Sequence, residues 1–336
     1  MRAAPRIPIA VALAVCVLLA ACSSGGDDAA SPSPRPTDDP GTAAPSTTAT
    51  APTNPAQVTA LRLDPAGNYG NDYADGILPV GDGKYVTDGP RAGSVYRCRA
   101  PVGGGGAQSR GPWFVNNNTQ YDLNKKVAVQ GDVRWVGTYS MTIDGAQRVI
   151  TTNDLPHDHT TGDFPVSPSD PAYQYDRNPN HIAAQSLTYR LPATPTVNAH
   201  TGCVGGEVGV MTTGVALFDA FDAGGRDAGA WEVQDGCDGH PQISSEYHYH
   251  TLSSCIQDTS VSSVIGWALD GFPITGPKVG TDNLLTTADL DECHGLTSTI
   301  TVDGASVMMY HYVMTQDFPY SVSCFRGTAT NPPRSG

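Results

Sequence analysis

The stretch Tyr247-His248-Tyr249-His250 alternates two residue types over four positions, and the other motifs of the chain are arranged around it. On a β-strand, successive side chains point to opposite faces, so both histidines would share one face and both tyrosines the other. Same-face neighbours lie roughly 6.5 to 7 Å apart along the backbone. Imidazole nitrogens bind zinc-like ions at about 2.0 to 2.1 Å, so both rings are able to lean onto one metal ion.

Two further histidines are candidates for the same metal shell. His240 lies eight residues before His248, and His311 lies in a second tract, Tyr310-His311-Tyr312. If the strands of the two tracts pair, His311 lies opposite the first pair of histidines, with facing Cβ atoms roughly 4.5 to 5.5 Å apart. The predicted ligands are therefore His240, His248, His250 and His311, and copper or zinc is the expected ion because imidazole suits both.

The same histidines have an alternative interpretation as buried groups in a hydrogen-bond network with the tyrosine hydroxyls. His159 is a possible fifth contributor, although a histidine in a loop more often faces water. Asp270, in a Gly-Pro turn, is expected to bond its own downstream backbone. Alternatively, it orients a ligand histidine or acts as a base beside a metal-bound water.

The six cysteines that follow the N-terminal region show an internal repeat around the two tracts. One cysteine precedes and one follows each tract, and an even number of cysteines in an exported protein favours disulfides over thiolate ligands. Six cysteines allow 15 connectivities, but a duplicated unit would close each loop on itself. The favoured pairs are Cys237 with Cys255, Cys293 with Cys324, and Cys98 with Cys203, and crossed pairing remains the alternative.

Several separate motifs occur in one order and resemble the YHYH family, which takes its name from the tetrapeptide. They are residues Cys237 to His250, Gly266 to Pro277, Leu290 to Gly295 and Phe318 to Gly327. The resemblance extends over about Leu155 to Gly327. It implies a mostly secreted or surface-attached protein and implies no particular activity. The second tract departs from an exact repeat, because Val313 stands where a second histidine would be.

The N-terminus has the features of a bacterial lipoprotein signal. Arg2 and Arg6 precede a short apolar run, and Leu19-Ala20-Ala21-Cys22 resembles a lipobox, so residues 1–21 are expected to be removed and Cys22 to carry lipid. Residues 22–56 are rich in Ser, Thr, Pro and Ala and are predicted to be a disordered tether. The expected location is outside the cytoplasm, attached to the cell membrane or envelope through the N-terminal lipid only.

The remaining residues are predicted to form a mostly β structure with little helix, either a sandwich or an irregular barrel with long loops, stabilised by disulfides. Short β-type runs recur between turn formers, and 37 glycines and 27 prolines leave little room for long helices. An N-terminal β portion at 57–150 and a YHYH domain at 151–330 are expected. The predicted strands include 58–63, 94–98, 125–130, 134–141, 148–151, 185–191, 207–211, 215–218, 247–251, 264–269 and 308–314.

Charge narrows the possible partners. The chain has 19 basic and 33 acidic residues, and loss of the two arginines of the signal leaves 17 minus 33, or −16. Nucleic acid is an unfavourable partner for so acidic a protein, because binding it requires basic patches. A metal cation is compatible with this charge, although surplus acid also serves solubility.

The sequence thus predicts an exported, lipid-anchored protein that binds copper or zinc through histidines of its two Tyr-His-Tyr tracts. The first alternative is a metal-dependent extracellular enzyme of hydrolase type, in which a three-histidine site keeps one position open. The second is a surface interaction or glycan-binding module with structural histidines. Neither a catalytic residue nor a protein partner is predicted.

Overall fold

The computed structural model describes residue 73, residues 75–281 and residues 283–334. The predicted signal, lipidation site and tether, and the predicted strand 58–63, lie outside these residues. In chain order the strands are β1 (Ile77–Pro79), β2 (Tyr85–Val86), β3 (Val95–Tyr96), β4 (Phe114–Val115), β5 (Gln120–Asp122), β6 (Tyr139–Asp144), β7 (Gln147–Thr152), β8 (Leu187–Pro192), β9 (Glu207–Met211), β10 (Ala216–Phe218), β11 (Gly239–Pro241), β12 (Tyr247–Tyr249), β13 (Val264–Ala268), β14 (Pro273–Thr275), β15 (Lys278–Val279), β16 (Asn283–Leu284), β17 (Gly295–Val302) and β18 (Ala305–Val313). Helical structure is limited in the described residues to α1 (Ala228–Trp231) and the short turns Asn116–Asn118, Pro171–Gln174 and Thr287–Asp289.

An eight-stranded sheet carries both Tyr-His-Tyr tracts, in the order β11-β12-β10-β9-β13-β14-β18-β17. Alternating residues of β12 and β18 are large and apolar or aromatic, and both tracts are buried on both faces. The order is set by hairpins and by two parallel pairs, β10 with β12 and β14 with β18. The two tracts therefore lie in one sheet but are separated by four strands.

The eight strands form two similar halves. From the central antiparallel pair β9–β13, each side has first an antiparallel hairpin partner, then a parallel tract strand, and then an antiparallel edge strand. Val210 and Trp267 face each other in the central pair, so the halves are related by an approximate two-fold axis through that pair. The internal repeat seen in the sequence is thus a repeat of topology.

The same correspondence holds for the residues that brace each tract. Tyr247 donates a hydrogen bond from its hydroxyl to Asp235, and Tyr310 donates to Asp291. Gly239 and Gly295 lie beside these two tyrosine rings, where a Cβ would collide with the ring. Each aspartate stands two residues before a cysteine, so both tracts are fixed by an equivalent Asp, Cys, Gly and Tyr arrangement.

Smaller sheets accompany the eight-stranded sheet. β6, β7 and β8 form an antiparallel sheet, and β1, β5 and β4 form another. The segment before residue 150 contacts the rest through buried hydrogen bonds, from Trp113 Nε1 to the Ala230 carbonyl and from the Gly81 amide to Asp227. The sheets of the described residues are open rather than closed into a barrel, and the prediction of a mostly β, disulfide-bonded structure is confirmed.

Three disulfides join Cys98 to Cys203, Cys237 to Cys255 and Cys293 to Cys324, which are the pairs that the internal repeat favours. Most predicted strands are present with ends shifted by a few residues, and 207–211 has the predicted bounds. Two predictions are wrong: residues 125–130 make only an isolated bridge at Val129, and residues 134–138 precede β6 rather than forming its start. None of the helices formed by the described residues has the length and apolar character needed to cross a membrane.

Candidate metal site

β11 and β12 bring three histidines together. They form an antiparallel pair in which His240 lies directly opposite His248, and His250 follows the last residue of β12. Each of the three residues is 3% exposed. One ligand atom from each histidine lies within 4.8 Å of the others, so the three residues form a triad of suitable composition for a metal ion.

The closest approach in the triad is between two nitrogens. His248 Nε2 and His250 Nε2 lie 3.1 Å apart. The ring of Phe218 packs against that of His248, with centroids 4.2 Å apart, and meets that of His250 edge-on. Strand alternation predicted that these two histidines would share a face, and the structure places them on one side of the sheet although β12 ends at Tyr249.

The other ring nitrogen of each of these two histidines faces a backbone carbonyl. His250 Nδ1 lies 2.5 Å from the Asp219 oxygen, and His248 Nδ1 lies 3.3 Å from the Glu246 oxygen. A carbonyl oxygen only accepts hydrogen bonds, so the proton of neutral His250 is on Nδ1, whereas the 3.3 Å contact of His248 is beyond the usual range and does not fix its tautomer. His250 Nε2 therefore presents a lone pair toward His248 Nε2, which lies 3.1 Å away.

His240 is oriented less firmly. Its Nδ1 lies 3.4 Å from Asn178 Nδ2, which also donates to the Pro241 carbonyl at 3.0 Å. A separation of 3.4 Å is beyond the usual range for a hydrogen bond, so this contact does not fix which nitrogen carries the proton. His240 Nε2 has no hydrogen-bond partner among the described residues.

Glu232 adds a carboxylate to the triad. Its Oε2 lies 3.4 Å from His240 Nε2 and 3.5 Å from His250 Nε2, and the side chain is almost fully buried. Oε2 has no hydrogen-bond partner among the described residues. Glu232 follows α1, whose first turn is capped by Asp227, and the helix end directs Glu232 toward the histidines.

Burial shifts the protonation equilibria of all four groups. Desolvation lowers the pKa of His240 and of His248 well below 6.5, and each is lowered further by neighbouring histidines. Desolvation also lowers the pKa of His250. The pKa of Glu232 is raised well above 4.5, first by desolvation and then by nearby carboxylates. The imidazoles are therefore neutral near pH 7, which is the protonation state that binds metals.

A cavity of about 460 Å³ has Lys126, Gln234 and Asp235 in its lining. Lys126 Nζ donates to the Gly229 carbonyl at 2.6 Å and to Gln234 Oε1. Desolvation lowers the pKa of Lys126 to about 8, against the attraction of several carboxylates. The residues that line this cavity include Lys126, Thr251 and Ser253 but none of the three histidines.

The prediction that His311 completes the shell is wrong. The two tract strands do not pair, because each pairs with the hairpin of its own half, and β10, β9, β13 and β14 lie between them. His311 Nδ1 contacts the Thr275 hydroxyl at 2.9 Å, and Nε2 contacts the Ser298 hydroxyl at 2.8 Å. His311 is thus a buried histidine whose two nitrogens both have hydrogen-bond partners.

The second half of the sheet lacks counterparts of two of the three triad histidines. Leu296 lies opposite His311, as His240 lies opposite His248, and Val313 follows the second tract as His250 follows the first. Two of the three triad positions are therefore apolar in the second half. The repeat preserves the tyrosines and one histidine, whereas the grouping of three histidines is specific to the first half.

Two other residues considered in the sequence lie outside the triad. His159 Nε2 contacts the Tyr249 hydroxyl at 3.0 Å, and its Nδ1 contacts Asp158 at 2.7 Å, on the tyrosine face of β12. Asp270 accepts from the Phe272 amide two residues downstream, as expected for a turn. It also accepts from the Tyr312 hydroxyl at 2.6 Å, so it braces the second tract.

Sequence reasoning missed the carboxylate of the site. Glu232 lies eight residues before His240 in an otherwise apolar stretch, and a lone acid between Trp231 and Val233 was the available signal. It also missed the Asp219 carbonyl, which no pattern of side chains reveals because it is a backbone group.

The described residues therefore form a mostly β, disulfide-bonded structure with a buried histidine triad that could hold a metal ion. The family model described as "YHYH protein" matches residues 188–284, which contain Glu232 and all three histidines of the triad. The resemblance to the YHYH family is thus confirmed over these residues, and the match ends before the second tract. No curated protein and no solved structure matches the chain.

Proposed function

We propose that the chain binds one transition metal ion, copper or zinc, through Nε2 of His240, His248 and His250. The observation that carries this proposal is the convergence of three buried histidines with Glu232, in which His240 Nε2 and Glu232 Oε2 lie 3.4 Å apart and neither has a hydrogen-bond partner among the described residues. Buried polar atoms are normally paired, and a cation among these atoms would satisfy both of them. His248 Nε2 and His250 Nε2 lie 3.1 Å apart beside them.

The distances fit a metal shell. Two nitrogens that each lie about 2.05 Å from one ion and 3.1 Å from each other subtend an angle of roughly 98° at the ion. The edge of a tetrahedral shell with that bond length is roughly 3.3 Å. The separations of Glu232 Oε2 from His240 and His250, 3.4 and 3.5 Å, are close to that edge. Three nitrogens and one carboxylate suit zinc and copper(II).

The hydrogen-bond network is the competing explanation, and His311 shows how such a histidine is arranged in this protein. Both nitrogens of His311 meet hydroxyl groups, each of which can donate or accept. In the triad, by contrast, His240 Nε2 and Glu232 Oε2 have no hydrogen-bond partner among the described residues. A complete hydrogen-bond network would pair both of these buried atoms.

The metal-dependent enzyme is a second candidate, favoured by Glu232. A carboxylate beside three histidine ligands resembles the arrangement of catalytic zinc sites, in which three protein ligands leave one position for water. However, the triad is almost fully buried, and the cavity beside Lys126 is lined by residues other than the three histidines. This burial favours a site that holds an ion over one that admits a large substrate.

Calorimetric titration of zinc and copper(II) into the metal-free protein tests the proposal. Wild type should bind one ion, whereas His248→Ala and His250→Ala should each lose most of the affinity. The double variant should lose little more than either single variant, because ligands of one shell are not additive. The matched control is His311→Ala, which should bind the ion as wild type does. Equal affinity in wild type and the double variant would rule out the site.

The location is part of the same proposal. The charged N-terminus, the short apolar run and Leu19-Ala20-Ala21-Cys22 support export and lipid attachment at Cys22. With Cys22→Ser, the protein should leave the membrane fraction. A variant that remains in that fraction with a mature N-terminus elsewhere would contradict lipid anchoring while leaving the metal site untouched.

A further inference from the structure

The Cys237–Cys255 disulfide encloses the whole triad. Its cysteines are 18 residues apart, and all three histidines lie between them in the chain. Cys237 stands three residues before His240, and Cys255 stands five residues after His250. The bond therefore joins the segment that leads into the first histidine to the segment that leaves the last one.

The histidines at the two ends of this loop are the least supported by the sheet. His240 is on β11, a three-residue edge strand that is paired only with β12 within the eight-stranded sheet, and His250 lies beyond the end of β12. By contrast, β12 is paired on both sides, so the position of His248 is fixed by two neighbours. The arrangement of the triad thus depends on what holds the ends of the loop together.

The β11–β12 ladder pairs Gly239 with Tyr249, and beyond that ladder and the disulfide two hydrogen bonds join the ends of the loop. The Ser254 amide donates to Asp238 at 2.8 Å, and the Ser254 hydroxyl donates to the Gly236 carbonyl at 3.1 Å. Both hydrogen bonds are exposed, and exposed hydrogen bonds contribute little to stability because water replaces them readily. Outside the β11–β12 pairing, the covalent bond is therefore the strongest connection between the segments that flank His240 and His250.

We propose that metal binding by the triad is controlled by the redox state of the Cys237–Cys255 disulfide. This inference rests on the proposed function. The oxidised protein holds His240 and His250 beside His248. A dithiol reductant transfers two electrons and two protons to the disulfide, which becomes two thiols, while the dithiol becomes a disulfide. The freed loop ends then let His240 and His250 separate, and the ion is released.

The Cys237–Cys255 disulfide is less buried than Cys293–Cys324, its counterpart in the second half, and is therefore more accessible to a reductant. Cys255 is partly exposed and Cys237 is 7% exposed, whereas Cys293 and Cys324 are both fully buried. Thiol exchange requires the attacking thiolate to reach a sulfur atom. A mild reductant therefore acts on Cys237–Cys255 before Cys293–Cys324. In the third disulfide Cys98 is exposed and Cys203 is partly exposed, so its reduction must be controlled separately.

The size of the expected loss of metal affinity follows from the entropy of loop closure. For a loop of this length, the chain-entropy estimate corresponds to a factor of roughly two hundred in favour of the ordered loop. Because Asp235 also anchors the amides of Cys237 and Gly239, some order persists after reduction. The metal affinity of the loop without its disulfide is therefore expected to be between about tenfold and two hundredfold lower.

The test compares two disulfide deletions in the full-length protein by titration of zinc. Cys237→Ser with Cys255→Ser should weaken zinc binding by about tenfold to two hundredfold. This double variant has no thiol at these positions that could act as a ligand. Cys293→Ser with Cys324→Ser should bind zinc as wild type does, although it loses a loop closure of similar size. Circular dichroism establishes that both variants are folded.

Reduction of the wild-type disulfides in a graded dithiol buffer provides a second measurement that does not depend on the folding of a variant. Zinc should be released to a chromogenic chelator as Cys237 and Cys255 become alkylatable, and Cys98→Ser with Cys203→Ser should show the same release. Unchanged affinity in the first deletion variant, or zinc retained after Cys237 and Cys255 are reduced, would overturn this inference alone. If the oxidised wild type binds no zinc or copper, the proposed function fails and this inference fails with it.

Discussion

Replacing His240 with the residue found at the equivalent position of the second half should separate metal binding from stability. Leu296 lies opposite His311 as His240 lies opposite His248, so His240→Leu gives the triad half the side chain already tolerated in the other half. Leu296 is 4% exposed and belongs to an apolar cluster with Val313. The substitution therefore removes a ligand without placing an unfamiliar group at that position of the sheet.

The expected loss of affinity can be worked out from general values. Zinc binding by a four-ligand site has an apparent free energy of about 10 to 16 kcal/mol, or roughly 2.5 to 4 kcal/mol per ligand. Loss of one ligand should therefore weaken binding about a hundredfold to a thousandfold. The free energy of unfolding of the metal-free protein should change by less than about 1 kcal/mol, because a desolvated imidazole is replaced by an apolar group of similar size.

The matched control is His311→Leu, for which the opposite result is expected. The hydroxyls of Thr275 and Ser298 would lose their imidazole partner in a buried environment, at a cost of about 1 to 3 kcal/mol, while zinc affinity stays unchanged. Calorimetry and chemical denaturation in the presence of a chelator measure the two quantities. Wild-type zinc affinity in His240→Leu, or weakened zinc binding in His311→Leu, would refute the assignment of the triad.

Three more predictions concern the triad, Glu232 and the equivalent positions of the second half. Glu232→Gln should weaken zinc binding but raise the stability of the metal-free protein near pH 7. Because burial raises the pKa of Glu232, the folded protein binds more protons than the unfolded chain, and stability is lost as pH rises. Equal denaturation midpoints with equal zinc affinity would contradict both effects. Zinc binding should persist as pH falls through 6.5, because burial lowers the pKa values of all three histidines and protons compete with zinc only at lower pH. For the same reason the metal-free protein should lose stability below pH 6.5, where the histidines of the unfolded chain take up protons. A midpoint of zinc release at pH 6.5 would show that the histidines titrate as exposed histidines do. Leu296→His combined with Val313→His should create a second, weaker zinc site beside His311, detected as a stoichiometry of two, whereas a stoichiometry of one would argue against the equivalence of the two halves.

Strand alternation was sufficient to predict that His248 and His250 lie on one side of the sheet. The four-residue stretch is short, yet its two tyrosines and two histidines are sorted onto opposite faces as the period of two requires. The disulfide pairs likewise followed from the repeat of Asp and Cys before each tract. These features are local in sequence, and each is decided by a spacing of a few residues.

The sequence could not predict how the two tracts are placed relative to each other. An internal repeat is compatible with direct pairing of the two copies and with a sheet in which each copy stays with its own hairpin. The second arrangement occurs because β12 and β18 each pair in parallel with a strand from an earlier hairpin. That pairing is non-local, so no short motif reports it, and His311 was consequently placed in the wrong site.

The carboxylate of the site was hidden for a related reason. Glu232 reaches the triad because α1 ends beside β11, and neither the length nor the position of a four-residue helix is apparent from periodicity. His240 could be named as a candidate but its strand could not, because Gly239-His240-Pro241 contains two residues that usually interrupt strands. Both residues became recognisable as part of the site only through tertiary contacts.

Metal content is the most direct test of the triad. The full-length protein, purified without a histidine tag, would be loaded with zinc or copper(II), passed over a chelating resin and analysed for metal and for protein. The site as described predicts one ion per chain in wild type and in His311→Ala, and background metal in the variant that lacks both His248 and His250. Background metal in the wild-type protein, or one ion per chain in the double variant, would contradict it.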